Sequence, residues 1–225
     1  TRISLISRTM ASLLCLPAFG LTTKQSFFIS LGFINKKIYL SATMIGIIFW
    51  FLPVFSFGEE IFRLEVRGTS SGTIDIALNK EAAPNHVDRV KRLTVEGKYD
   101  GVVFHRVIAG FMAQSGDVKY GNINNFQADL VGMGDSQYPN LVAEFSNQPF
   151  KKGTVGMARS RDPNSGNSQF FIMFDEASHL DGKYTIIGEV ISGMETVMQI
   201  KKGDIKRNGM VEKPDYIKRA LIIQN

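Results

Sequence analysis

The chain has 225 residues, 44% hydrophobic and 21% charged, enough for one domain with a sizeable core plus a further segment. Its formal charge of +5 sits at one end: five of the 26 basic groups and none of the 21 acidic ones precede residue 59, which leaves 21 of each sign beyond it. The basic balance therefore gives no argument for nucleic acid, and with Cys15 as the only cysteine the later part excludes a disulfide framework and a thiolate metal site.

Residues 1–58 read as a leader. Lys36-Lys37 precede an uncharged run from Ile38 to Gly58 that includes IGIIFWFLPVF, the basic and apolar regions of an export signal. Ser56-Phe57-Gly58 has the small-x-small spacing of a signal-peptidase site. Cleavage after about Gly58 is predicted, with a periplasmic or exported domain starting at Glu59. The alternative is an uncleaved anchor facing the periplasm, because the run slightly exceeds the ~18 apolar residues that first suggest a span. Met10 or a start near residue 31 is an alternative beginning. An organelle transit peptide fits the acid-free composition but not the long apolar run. Cys15 lacks the small preceding residue of a lipoprotein signal.

The domain proper is placed at 59–225. IFRLEV (61–66) and TIDIAL (73–78) alternate in hydropathy and flank RGTSSG, which predicts a β-hairpin. PNHVDRVKRLTVEGKYDG (84–101) predicts a helix, with Pro84 in its first turn, Val87, Val90 and Leu93-Thr94 as its stripe, and Gly97 as its stop. VVFHRVIAGFMAQSGD (102–117) looks like buried strand, yet carries His105 and Arg106 in the middle. The Gly- and Asn-rich stretch 116–140 is too long for a turn and is expected to be an ordered surface excursion. Its glycines precede no Lys-Ser/Thr, so they do not make a phosphate cradle. GTVGMARS (153–160), SQFFIMF (168–174) and YTIIGEV (184–190) predict strands. GMETVMQIKKG (193–203) predicts a second helix with Met194, Val197, Met198 and Ile200 inward, and YIKRALIIQ (216–224) a last strand. Many short strands, two separated helices and no βαβ rhythm point to an all-β barrel or sandwich.

The common catalytic sets are missing from this pattern. His86, His105 and His179 are scattered, with no second ligand at metal-binding spacing. GTSSG (68–72) matches G-x-S-x-G but lies between two strands, whereas a nucleophile elbow joins a strand to a helix. A hydrolase using Ser70 or His105 therefore rests on an accidental match, and His105 is expected to be a strand histidine satisfied by the backbone. What remains is a set of apolar and amide side chains around one arginine: Phe111, Met112, Phe170, Phe171, Leu180 and Tyr184. Strand alternation allows only one of Phe170 and Phe171 to face a given side.

FHRVIAGFMAQSGD, GTVGMARS, NSQFFIMF and HLDGKYTIIGEV, in this order and spacing, resemble the cyclophilin family of peptidyl-prolyl cis-trans isomerases, from about Phe62 to Ile223. APNHVDRVKRL and the long stretch from YPNLVAEF to SQFFIMF are similar to its bacterial branch. The resemblance implies an eight-stranded antiparallel closed barrel capped by two α-helices, isomerase activity on Xaa-Pro bonds, and no metal or organic cofactor. It implies Arg106 as catalytic residue. It further implies Phe111, Met112, Phe171 and Leu180 as proline-pocket walls, Gln114 and Gln169 as polar contacts, and Ala158-Arg159 as a segment whose main chain holds substrate. Tyr184 stands where histidine is frequent, Ala109 where proline is. His179 stands where many members carry a tryptophan that contacts cyclosporin, so reduced cyclosporin affinity is expected. The implied partners are proline-containing polypeptides, exported ones in particular. Nucleic acid is not among them, a membrane is met only through an uncleaved leader, and the protein is expected to be a monomer. The alternative function is a proline-loop binding or chaperone module with incidental catalysis.

Overall fold

In a computed structural model the described residues are 60–224; the leader assigned to 1–58 lies outside them. Eight strands form one antiparallel sheet: β1 (Glu60–Arg67), β2 (Gly72–Leu78), β3 (Arg106–Ile108), β4 (Met112–Ser115), β5 (Thr154–Met157), β6 (Phe170–Met173), β7 (Ile186–Ser192) and β8 (Tyr216–Gln224). Their order is β3-β4-β6-β5-β7-β2-β1-β8. The sheet curls until its two ends meet. Val103 bridges to Tyr216, the Phe104 amide donates to the Asp215 carbonyl at 2.8 Å, and the Ile217 amide donates to the Val102 carbonyl at 2.8 Å. The architecture is that of the cyclophilin fold, a strongly curled eight-stranded antiparallel sheet with two helices.

Inside the curl, Phe62, Tyr99 and Phe170 stand with ring centroids 5.7 Å apart in each pair, and Leu64, Ile74, Ile76, Val155 and Ile172 pack around them. The Tyr99 hydroxyl, fully buried, donates to the Ser168 carbonyl at 2.8 Å, so the ring brings no unpaired polar atom into the core.

α1 (Pro84–Val95) buries His86, Val87, Val90, Leu93 and Thr94 and ends where predicted. Gly97 takes a left-handed φ of 67°, its amide donates to the Thr94 carbonyl, and the Lys98 amide donates to the Leu93 carbonyl, a paired closure of the last turn. α2 (Met194–Gln199) is shorter than the 193–203 expected. It buries Thr196 and Val197 while Met198 is exposed, a correction to the predicted inner side. Only six residues long, α2 presents a narrow face, and Thr196 rather than Met198 lies on it, beside the Ser70 hydroxyl that donates to its carbonyl at 3.1 Å.

The 116–140 excursion is ordered around a buried carboxylate. Asp117 accepts from the amides of Lys119, Tyr120, Gly132 and Gly134 at 2.7–3.1 Å, which pins both ends of the loop to one side chain. Among the described residues no helix is long and apolar enough to cross a membrane, and no group of three or more His, Cys, Asp or Glu is placed to hold a metal ion.

Candidate active site

Strand register assembles the site from distant parts of the chain. Arg106 of β3 pairs with Gln114 of β4, Gln114 with Phe171 of β6, and Phe171 with Gly156 of β5, so the four stand in one row across four strands. Partners in antiparallel register share a face, and this row faces away from the core. One step along, Val107, Ala113, Ile172 and Val155 form the row that points into it. Phe170 and Phe171 divide accordingly: Phe170 joins the core, and Phe171 joins a second apolar cluster with Met112, Phe150, Met173 and Leu180. Gly156 leaves room for the Phe171 ring, since a Cβ there would lie 2.5 Å from Phe171 Cζ and 2.8 Å from Phe150 Cε1.

Over this second cluster lies a cavity of about 180 Å³ lined by Arg106, Phe111, Met112, Gln114, Ala158, Arg159, Phe171, Leu180 and Tyr184. Nine of the eleven residues expected from the sequence thus share one cavity. Gln169 lies behind them. It accepts at Oε1 from Gln114 Nε2 at 3.0 Å, donates to the carbonyls of Gly132 and Gly134, and lines an adjoining cavity that shares Gln114, Ala158 and Arg159 with the first. His179 stands outside the lining, its ring stacked on Phe111 with centroids 5.8 Å apart, so it forms the rim. A larger cavity of about 510 Å³, beside β2 and residues 148–151, contains none of these residues and has a largely polar wall.

The aromatic walls are mutually braced. Phe171 stacks on Phe150 at 5.8 Å, and Tyr184 meets both edge-on, at 5.8 and 6.4 Å. Arg159 contributes more than the main chain expected of it. Its guanidinium lies 4.3 Å over the Tyr184 ring and donates to the carbonyls of Lys183 and Ser160, which makes the side chain part of the wall.

Arg106 is half-buried. Burial lowers the pKa of its guanidinium, against which the Tyr184 phenol works, but arginine starts so high that it remains charged. Nη1 donates to Gln114 Oε1 at 3.2 Å, Nε to the Asn208 carbonyl at 3.0 Å and Nη2 to Asn208 Oδ1 at 3.1 Å. The site therefore joins a greasy recess to two held guanidinium groups, Arg159 against Tyr184 and Arg106 beside Gln114, with two amide side chains, Gln114 and Gln169, continuing the hydrogen bonds of Arg106. Asn208 was not legible as a site residue. Arg207-Asn208-Gly209 signals a turn, but nothing in the sequence links it to a strand residue 102 positions away.

One reading of the sequence is corrected, and one rejection is supported. His105 is buried, and neither ring nitrogen reaches hydrogen-bond geometry; the Val103 carbonyl favours the protonated ring, but the backbone does not fully satisfy it. Ser70, in keeping with an accidental match in GTSSG, is wholly buried in the β1–β2 connection, where its hydroxyl donates to the Thr196 carbonyl rather than standing exposed as a nucleophile.

The comparisons agree with the fold. Residues 61–222 match the family "Cyclophilin type peptidyl-prolyl cis-trans isomerase/CLD". The chain is 57% identical over 152 residues to probable peptidyl-prolyl cis-trans isomerases of Brucella suis and Brucella melitensis, covering 67% of this chain and 78% of theirs. Among solved structures it is similar to cyclophilin AquaCyp293 from Hirschia baltica, at 27% identity and a TM-score of 0.58, covering 72% of this chain and 73% of that one. It is also similar to a Cryptosporidium parvum cyclophilin-type isomerase solved in the presence of the dipeptide Ala-Pro, at 25% identity and a TM-score of 0.61, covering 73% and 99%. On the fold, the family match and the Brucella relatives together, the chain belongs to the cyclophilin-type peptidyl-prolyl cis-trans isomerases, whose substrates are proline-containing peptides.

Proposed function

We propose that this isomerase turns Xaa-Pro bonds of exported polypeptides in the cavity above, with Arg106 as its catalytic residue. The observation that carries this reading is the Arg106 fork held at the edge of an apolar recess, bonded to Gln114, while the Arg159 guanidinium is taken up by Tyr184 and main-chain carbonyls. An Xaa-Pro amide rotates through a twisted state about 18–20 kcal/mol uphill, because resonance gives its C–N bond double-bond character. In that state the proline nitrogen is pyramidal and regains a lone pair. An N–H aimed at it stabilises the twisted form more than either planar isomer, which is the condition for catalysis. Phe111, Met112, Phe171 and Leu180 hold the ring, and Gln114 and Gln169 meet the polar part of the chain. Ala158-Arg159 align the substrate backbone. An acceleration of roughly 10^5 asks about 7 kcal/mol of this arrangement.

Support for exported clients comes from the leader, whose Lys-Lys and apolar run have the pattern of an export signal. N-terminal sequencing of the exported protein is expected to find Glu59 first; an intact leader in the membrane would favour the anchor. For the chemistry, exchange NMR on a short Xaa-Pro peptide is expected to show Arg106→Ala losing a hundredfold or more, roughly 3 kcal/mol of transition-state stabilisation, with little loss of binding. Equal rates would remove Arg106 from the mechanism. Equal binding with negligible turnover in the wild type would favour the proline-binding module.

A further inference from the structure

An arginine on an exposed rim ordinarily samples many rotamers, and a donor that wanders is a poor match for a transition state. Arg106 does not stand free in this way. The Nε and Nη2 groups form one edge of the guanidinium fork, and both donate to Asn208, at its carbonyl and at Oδ1, 3.0 and 3.1 Å away. With that edge held, the plane and the rotation of the group are fixed, and Nη1 is left toward the cavity beside Gln114.

Asn208 is itself fixed. It follows a single 3-10 turn (Ile205–Arg207), and Asp204 accepts the Lys206 amide at its side chain. The Gly209 amide donates to the Asp204 carbonyl, and the Asp204 amide to the Met210 carbonyl. The loop is fastened to β3 through both main-chain groups of Val107, the residue next to Arg106: the Val107 amide donates to the Gly209 carbonyl, and the Gly203 amide to the Val107 carbonyl. Within this frame Asn208 adopts a left-handed φ of 55°. Glycine and asparagine tolerate that backbone, but of the two only asparagine brings a second acceptor.

We propose that Asn208 is a positioning residue for isomerisation: by gripping the Nε/Nη2 edge it orients the Nη1 side of Arg106 toward the proline nitrogen. The proposal rests on the role given to Arg106 above. Asn208→Gly keeps the backbone conformation and the carbonyl while deleting Oδ1, and Asn208→Asp keeps an oxygen there. In peptide exchange NMR with the full chain, Asn208→Gly is expected to lower turnover about tenfold, about 1.4 kcal/mol, with peptide affinity within about twofold of wild type. Asn208→Asp is expected to recover most of it. In the wild type, the Arg106 guanidinium should give separate, slowly rotating Nη signals that merge in Asn208→Gly.

Wild-type turnover in Asn208→Gly, an equal loss of affinity and rate, or no recovery in Asn208→Asp would overturn the proposal. If Asn208→Gly does not fold, the wild-type spectrum decides: freely averaging Nη signals overturn it and hindered ones support it. Arg106→Ala runs alongside. Full activity there sinks the role of Arg106 itself, whereas an inactive Arg106→Ala beside a normal Asn208→Gly sinks only the role of Asn208.

Discussion

His105 is a buried imidazole with neither nitrogen in hydrogen-bond geometry, and burial pushes its pKa down to about 4, Asp117 and the Val103 carbonyl opposing only in part. A group depressed in the folded state contributes stability that is complete above its unfolded value, near 6.5, and is lost as pH falls through the folded value. Urea unfolding at about pH 7.5 and pH 4 should therefore show the wild type losing about 3 kcal/mol more than His105→Leu. Parallel losses would mean the ring is not the source. At pH 7.5 the leucine variant should be no less stable, since it strands no partner. His179 carries a different prediction. It stacks on Phe111 at the rim, where a tryptophan adds apolar area and an N–H donor. Titration of His179→Trp with cyclosporin should show binding tighter by about tenfold or more, with turnover little changed. Equal affinity in the two proteins would refute it. Such single positions were unevenly legible. The cavity residues stood in long motifs, and period-two alternation separated Phe170 from Phe171, whereas the unpaired state of His105 depends on what surrounds it in three dimensions.

α1 shows how one element borrows what its own sequence lacks. Ala83 precedes it without a capping side chain, and its first turn has no acidic residue. Glu144, some 60 residues on, fills the gap: it accepts the amides of Asn85 and His86 at 3.1 and 3.0 Å, Asn85 Nδ2 at 2.8 Å and His86 Nδ1 at 2.6 Å. Burial pushes the Glu144 carboxyl up, but these bonds outweigh it and hold the group below its usual range. His86 is pushed down by burial more than Glu144 raises it. Both shifts have the same sign for stability, so the clip is complete above the unfolded histidine value and is lost as pH falls. Glu144→Ala should cost about 1–3 kcal/mol in urea unfolding at neutral pH and should flatten the acid limb. An unchanged midpoint would show that the helix needs no such cap. The helix itself was legible from Pro84, its stripe and Gly97. Its cap was not, because a tertiary hydrogen bond leaves no local pattern. α2 was overextended for a related reason: the apolar period continues past Gln199, but the chain turns away there to reach the loop that carries Asn208.

At the scale of the whole molecule, one buried carboxylate joins three parts of the fold. Asp215, 1% exposed, accepts from the amides of Thr69, Ser70 and Lys201, while its own carbonyl receives Phe104 where the ends of the sheet meet. Replacing it with alanine strands donors in two separate segments, the buried Ser70 amide among them, and should lower the unfolding free energy by about 2–4 kcal/mol, read from the shift in urea midpoint. A loss under about 1 kcal/mol would show that the segments hold together without it. The two helices and seven strand-like stretches were legible from local pattern, whereas the eighth strand, β3 and β4 having been read as one, and the antiparallel sense came with the family resemblance. The way the ends join was not, because it rests on isolated bridges from Val102–Phe104 rather than on a strand with its own period. That closure bears on the company the enzyme keeps. Extended proline-containing chains are the kind of partner that would add themselves to any open strand. Where Val102–Phe104 are stitched to the start of β8, the curled sheet offers little unpaired backbone for a client to zip onto. At the recess proposed as the active site a client would meet side chains instead, and could leave once its bond had turned.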